Sequence, residues 1–253
     1  MTTKRFWIIL FLWLAPAALC SAQTLRIAAA ANLMFVLPAI DADFAATHPG
    51  ITVTPVFGSS GNLVSQIEQG APFDVFLSAD IEFPRKLIAA GGADASTLKT
   101  FAYGKLVLWS TQPDLPMPTI AAVVRNSRVT RLAIANPRTA PYGRAAREAI
   151  ARLGLLEVAE PKLVTAENIA QTAQFVSSGN AEAGFVALSL VLAPNLKDRG
   201  RWLDVPADLY TSIAQAGVVT HRAAGNESAR AYLEFLSSPP ARSALARFGY
   251  GTP

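Results

Sequence analysis

The sequence predicts an α/β protein with two similar lobes around a shared ligand cleft. Three observations point there. Short apolar runs alternate with amphipathic stretches almost to the C-terminus, the order expected of strand–helix units that build mainly parallel sheets. The order restarts near residue 104, which gives two βα halves. The apolar runs also end repeatedly in small or polar residues where a helical pattern begins. In open α/β sheets, ligands sit beyond those carboxyl ends.

The elements follow in order. "LRIAAAAN" reads as a first buried strand, and Leu33, Leu37, Ile40 and Phe44 then fall at helical spacing until "HPG" stops the helix. Pro38 interrupts that pattern, because proline removes a backbone donor unless it sits in the first turn. "ITVTPVF" is a second strand, and its helix carries Leu63 and Ile67 on one face and ends at Gly70. "DVFLSAD" is a third strand before the short helix "IEFPRKLIAAGG". The second half opens with "GKLVLWS" and the proline-rich loop "TQPDLPMPT". "RLAIANP" leads through "RTAPYG" into the helix "RAAREAIARLG". "PKLVTAEN" leads into a helix with the stripe Ile169, Ala173 and Val176, and "AEAGFVALSLV" follows. "SIAQAGVVT" is a late strand, and the helices "ESARAYLEFLSS" and "PPARSALARFG" close the chain.

Residues 1–22 read as a secretory leader. Lys4 and Arg5 precede the apolar run "FWIILFLWLAPAALC", and small residues end at Ala22, the expected cleavage point. The run is short for a bilayer span of about 20 residues. The residues before Cys20 make a poor lipidation signal. The leader takes two positive charges from a chain of net charge +4, so the remainder is nearly neutral and lacks a long basic run. Nucleic acid is not an expected partner. Cys20 is the only cysteine, so the mature chain is expected to have no disulfide and no thiol nucleophile.

Four strand-to-helix junctions carry the chemistry: "AAAANL", "GSSGN", "APYGR" and "TAENI". They offer Asn32, Ser59, Ser60, Asn62, Tyr142 and first-turn backbone N–H groups, which together suit a small anion. A fully deprotonated oxyanion only accepts hydrogen bonds and needs no acceptor from the protein. Each junction also has an ordinary reading. Serine or asparagine before a helix is most often a cap, and a tyrosine is most often packing with a satisfied hydroxyl. Asp74 and Asp80 flank a strand and suit capping or packing. Arg138 and Arg144 border the second-lobe loop. His48 and His221 form no nucleophile–base motif, and Glu167 is the one carboxylate beside a junction.

The most specific stretches are "GSSGNLVSQIEQGAPFDVFLSAD" and "YGKLVLWS". "IANPRTAPYG", "GLLEVAEPKLVTAENIAQTAQFVSSGNAEAGFVAL" and "YLEFLSSPPARSALARFGY" support them. Over about Leu25 to Tyr250 the chain resembles the periplasmic molybdate-binding proteins of molybdate ABC transporters, the ModA family. The resemblance implies a type II periplasmic binding-protein fold. Its first lobe would span 24–103 plus 211–253 and its second lobe 104–210. It implies a monomer that binds molybdate or tungstate without salt bridges and delivers it to an inner-membrane permease. No enzymatic activity and no cofactor are implied. Carried over by position, the oxyanion is met by the backbone around Ala31, by Asn32, by the hydroxyl and N–H of Ser60, by Tyr142 and by the N–H of Ile169.

The chain departs from that pattern twice. Ala31 stands where members usually carry Ser or Thr, so a hydroxyl is missing, and either Asn32 compensates or affinity is lower. Ala187 stands where some members place a tyrosine, and Tyr142 is expected to fill that role from another loop. The alternatives are a site for sulfate or thiosulfate, a secreted enzyme using Glu167, and a sensor domain on the same scaffold.

Overall fold

The computed structural model describes residues 23–253; the leader and Cys20 lie outside them. Strands β1 (Gln23–Ala30), β2 (Ile51–Gly58), β3 (Val75–Ser78) and β4 (Lys99–Gly104) belong to one sheet. Strands β5 (Leu106–Ser110), β6 (Leu132–Ala135), β7 (Leu163–Ala166), β8 (Ala183–Ala187) and β9 (Arg201–Asp204) form a second sheet. Strand β10 (Ile213–Val219) returns to the first. The spatial orders are β2-β1-β3-β10-β4 and β7-β6-β8-β5-β9.

The sheets are less parallel than the sequence pattern suggests. β1 pairs in parallel with β2 and β3, and β6 with β7 and β8. β10 is antiparallel to both β3 and β4, and β5 to both β8 and β9. The reason is connectivity. The chain leaves the first sheet at Gly104, enters the second at Leu106 and comes back at Ile213. The strand after each crossing therefore runs against its neighbours, β5 where the chain enters the second sheet and β10 where it comes back to the first.

Among the described residues ten α-helices cover the sheets. They are α1 (Leu37–Thr47), α2 (Ser60–Glu68), α3 (Glu82–Ala89), α4 (Ile120–Arg125), α5 (Pro141–Arg152), α6 (Leu156–Ala159), α7 (Ile169–Ser177), α8 (Leu188–Val191), α9 (Glu227–Phe235) and α10 (Pro239–Arg247). Pro38 falls in the first turn of α1, where its missing N–H has no intrahelical acceptor to lose. Alternation along the strands divides the first lobe's core. Leu25, Ile27 and Ala29 of β1 pack with α1, α9 and α10, while Ala28 faces the layer of Leu63, Val64 and Leu87 from α2 and α3. The second lobe's core gathers around Trp109, Phe185 and Ile134, and it extends across the cleft to Ala30, Ala31 and Ala79. Among the described residues no helix is long and apolar enough to cross a membrane.

The two chain crossings are tied together. The Tyr210 hydroxyl accepts from the N–H of Leu106 at 3.3 Å, and the N–H of Val205 donates to the carbonyl of Leu106 at 3.1 Å.

One half-buried carboxyl makes stability depend on pH. Asp41 on α1 accepts from the Tyr232 hydroxyl at 2.7 Å. Burial nevertheless raises its pKa from 3.8 to about 6, with the Tyr232 bond opposing the rise. The folded state therefore holds this proton more tightly than the unfolded chain does. Its contribution is full below about pH 4 and is lost as pH rises through about 6. Asp41→Asn keeps an acceptor for Tyr232 without a charge. Thermal unfolding followed from pH 4 to 8 should show the variant gaining on the native protein as pH rises through that window.

Candidate functional site

Four chain junctions converge on one point between the sheets. β1 ends at Ala30, and a single 3-10 turn, Ala31–Leu33, follows. β2 runs into α2 with Ser59 at the N-cap. The loop after β6 enters α5 through Pro141, its first residue. Asn168 caps α7 by accepting from the N–H groups of Ala170 and Gln171, which leaves the N–H of Ile169 free. Ala31, Asn32, Ser60, Tyr142 and Ile169 line a single cavity of about 10 Å³, together with Ser59, Ala79 and small neighbours. That is about the room of one water molecule, so a larger occupant needs the walls to part. No lining residue carries a charge.

The unspent hydrogen-bonding groups are donors for the most part. Among the described residues no acceptor takes the backbone N–H of Asn32, Ser60, Tyr142 or Ile169. In the helices these are first-turn groups that have no intrahelical partner. The Ser60 hydroxyl accepts from the N–H of Ala79 at 3.1 Å, so its own proton is free to be given. Tyr142 is 1% exposed and its hydroxyl has no partner. Burial first, and then the neighbouring Tyr250 and Tyr210, push that phenol well above its ordinary pKa of 10. It is therefore a neutral O–H donor.

Asn32 is committed differently from the sequence expectation. Gln215 Nε2 donates to the carbonyls of Ala79 and Ile213, both at 3.3 Å, so its Oε1 must face Asn32. Asn32 Nδ2 donates to that Oε1 at 2.8 Å and to the Tyr250 hydroxyl at 2.8 Å. Both amide hydrogens are thereby used, and Oδ1 is left buried without a partner. The donor that Asn32 can offer a ligand is its main-chain N–H, so its amide does not replace the hydroxyl missing at Ala31. Ser189 Oγ, from the second lobe, donates to the carbonyl of Asn32 at 3.0 Å and lies 3.1 Å from the Tyr250 hydroxyl.

Gly104, at the first crossing, explains how Tyr142 reaches this place. A Cβ at 104 would lie 2.1 Å from the Tyr142 hydroxyl oxygen and 2.9 Å from Gln215 Nε2. The missing side chain is thus the seat of the phenol. Gly104, Gln215, Ser189 and Tyr250 were not identified from the sequence as parts of the site. The lone glutamine inside the apolar strand "SIAQAGVVT" was the one available signal.

The lobes also touch beside the cavity. The N–H of Gly61 donates to the carbonyl of Thr139 at 2.8 Å, and Arg144 reaches from α5 to pair with Asp80. Asp80 is buried, caps α3 through the N–H of Phe83 and accepts from Ser78, so its charge is fully engaged. Glu167 is exposed and accepts from Asn62 Nδ2 at 3.4 Å. Arg138 is exposed, and Asp74 pairs with Arg222 on the first lobe. His48 stacks on Phe44 at a ring distance of 4.1 Å, and the backbone N–H of His221 bonds to Gly92. Among the described residues no group of three His, Cys, Asp or Glu could hold a metal ion.

Comparison with known proteins agrees with this architecture. The profile of the bacterial extracellular solute-binding proteins matches residues 25–251. The molybdate-binding protein ModA of Azotobacter vinelandii is 42% identical over 234 residues, 92% of each chain. ModA of Rhodobacter capsulatus is 45% identical over 203 residues, covering 80% of this chain and 79% of its own. The solved structure of the Azotobacter vinelandii periplasmic molybdate-binding protein superposes with a TM-score of 0.84 at 35% identity. The match covers 90% of this chain and 99% of that one. With its two sheets, its interlobe cavity and this likeness along nearly its whole described length, the chain belongs to the ModA family of bacterial extracellular solute-binding proteins.

Proposed function

We propose that this protein binds molybdate or tungstate in the interlobe cavity and delivers it to a membrane permease from the periplasm. The observation that carries the reading is the Tyr142 hydroxyl: buried, neutral, unpartnered and lining an uncharged cavity. Leaving such a group unpaired costs about 1–3 kcal/mol. An oxyanion that accepts from it offsets that cost. The free Ser60 proton and the N–H groups of Asn32, Ser60, Tyr142 and Ile169 supply the remaining donors. The set holds an anion by dipoles and hydrogen bonds alone, with Ala31 packing against it.

The lobes, 24–103 with 211–253 and 104–210, move about the two crossings, and ligand shifts the balance toward the closed form. The protein works as a monomer and as a carrier, with no catalytic step and no cofactor. Selection against sulfate follows from size. Donors placed for the larger ion leave each bond to sulfate long, at roughly 1.5–3 kcal/mol for each bond lost to a charged acceptor.

Calorimetric titration of residues 23–253 tests this. Molybdate and tungstate should each bind one-to-one, and sulfate should bind at least 100-fold more weakly, the minimum expected from losing two such bonds at about 1.4 kcal/mol per tenfold. Sulfate binding as tight as molybdate would overturn the size argument, and no binding of any of the three would overturn the function.

A further inference from the structure

We propose that Ser59 is a further ligand-contacting residue, its hydroxyl donating to the bound oxyanion in place of the hydroxyl that residue 31 lacks. The inference rests on the oxyanion-binding reading of the cavity. Ser59 holds the N-cap position of α2 with extended backbone angles, φ −72° and ψ 143°, yet its side chain makes no capping hydrogen bond. A serine there ordinarily accepts from the second or third N–H of the helix. Here the second N–H, that of Gly61, crosses the cleft to the carbonyl of Thr139. The Ser59 hydroxyl is left without any partner while the residue is only 3% exposed. Ser59 also lines the cavity, beside Ser60 and opposite Tyr142 and Ile169.

Three features single it out among the unpaired groups. Asn32 Oδ1 is only an acceptor and cannot serve an oxyanion. The Thr139 hydroxyl is unpaired, but Thr139 is not part of the cavity wall. The Asn32 amide hydrogens are held by Gln215 and Tyr250. Ser59 remains as the one further side chain on the wall with a proton to give. Adjacent hydroxyls at 59 and 60 then meet the anion from the start of α2, where the helix dipole also favours negative charge.

The roles of the two serines separate experimentally. Ser59→Ala removes a buried group that bonds to nothing in the protein, so the thermal midpoint without ligand should not fall. Ser60→Ala also removes the acceptor of the Ala79 N–H and should lower that midpoint. With molybdate, Ser59→Ala should weaken binding by about tenfold to a hundredfold, the worth of one hydrogen bond to a charged acceptor. Adding Ala31→Ser to Ser59→Ala should restore most of the loss. Titration calorimetry and ligand-free thermal denaturation of the two single variants and the double variant read all of this. A Ser59→Ala protein that binds like the native one, that unfolds earlier without ligand, or whose loss Ala31→Ser leaves untouched overturns the proposal. The native protein, titrated in parallel with molybdate, tungstate and sulfate, tests the function separately. If only sulfate binds, the molybdate reading falls, while Ser59→Ala against native protein with sulfate still decides the contact.

Discussion

Asn32→Asp is expected to weaken molybdate binding by about a thousandfold, although the two side chains have the same shape. The amide of Asn32 cannot be turned, because Gln215 is pinned by the carbonyls of Ala79 and Ile213. An aspartate would set an oxygen against Gln215 Oε1 where Nδ2 now donates at 2.8 Å, and it would lose the donor bond to Tyr250. It would also place a negative charge on the wall of an anion cavity. At an effective dielectric constant of 20, two unit charges about 4 Å apart interact by ~4 kcal/mol, which by itself accounts for a loss of that size. Protonating the carboxyl relieves both faults, so the variant should bind better at pH 6 than at pH 8. Calorimetry at the two pH values checks this. Equal affinity of Asp and Asn proteins at pH 8 would mean that Asn32 lies outside the ligand's field.

Gly104→Ala is expected to cost stability and binding together, and Tyr142→Phe is expected to undo part of the first. The added Cβ meets the Tyr142 oxygen at 2.1 Å, so the phenol must shift by about 1 Å to reach ordinary contact distance. Overpacking of this kind costs about 1–3 kcal/mol. The displaced hydroxyl no longer points at the anion, so affinity should fall at least as far as in Tyr142→Phe alone, about tenfold to a hundredfold. In the double variant the worst clash is gone, and Gln215 Nε2 at 2.9 Å and the ring carbon at 3.0 Å from the new methyl are left to be relieved by smaller shifts. Its thermal midpoint should recover toward that of Tyr142→Phe, and its affinity should be no worse. Losses that multiply in the double variant would show that residues 104 and 142 act independently.

Local pattern made much of this protein legible. The strand–helix order, the two-lobe echo and the junctions "GSSGN" and "APYGR" rest on periodicity and helix-start chemistry. The structure brings Ala31, Asn32, Ser60, Tyr142 and Ile169 around one cavity. The antiparallel placing of β10 was not legible, because strand direction depends on where the chain returns. The commitment of the Asn32 amide was hidden for a similar reason. Its partners Gln215 and Tyr250 lie 183 and 218 residues away in sequence, and only their own bonds decide which end of the amide faces the cavity. Gly104 reads locally as an ordinary strand end. Its purpose appears only when a tyrosine from the other lobe is laid against it. Arg144 looked like a solvated loop cation, but the fold brings Asp80 to it across the cleft.

On the proposed reading, the anion sits in an uncharged cavity held by neutral donors from both lobes. A crystal structure of the protein with tungstate tests it most directly, since tungsten's anomalous scattering locates the ion without interpretation of side chains. One tungsten peak is expected, enclosed by Ser60, Tyr142 and Ile169, with oxygens accepting from their donors and no lysine or arginine nitrogen within hydrogen-bonding distance. A peak on the exposed arginines near Arg138, or an arginine side chain folded onto the oxyanion, would contradict it.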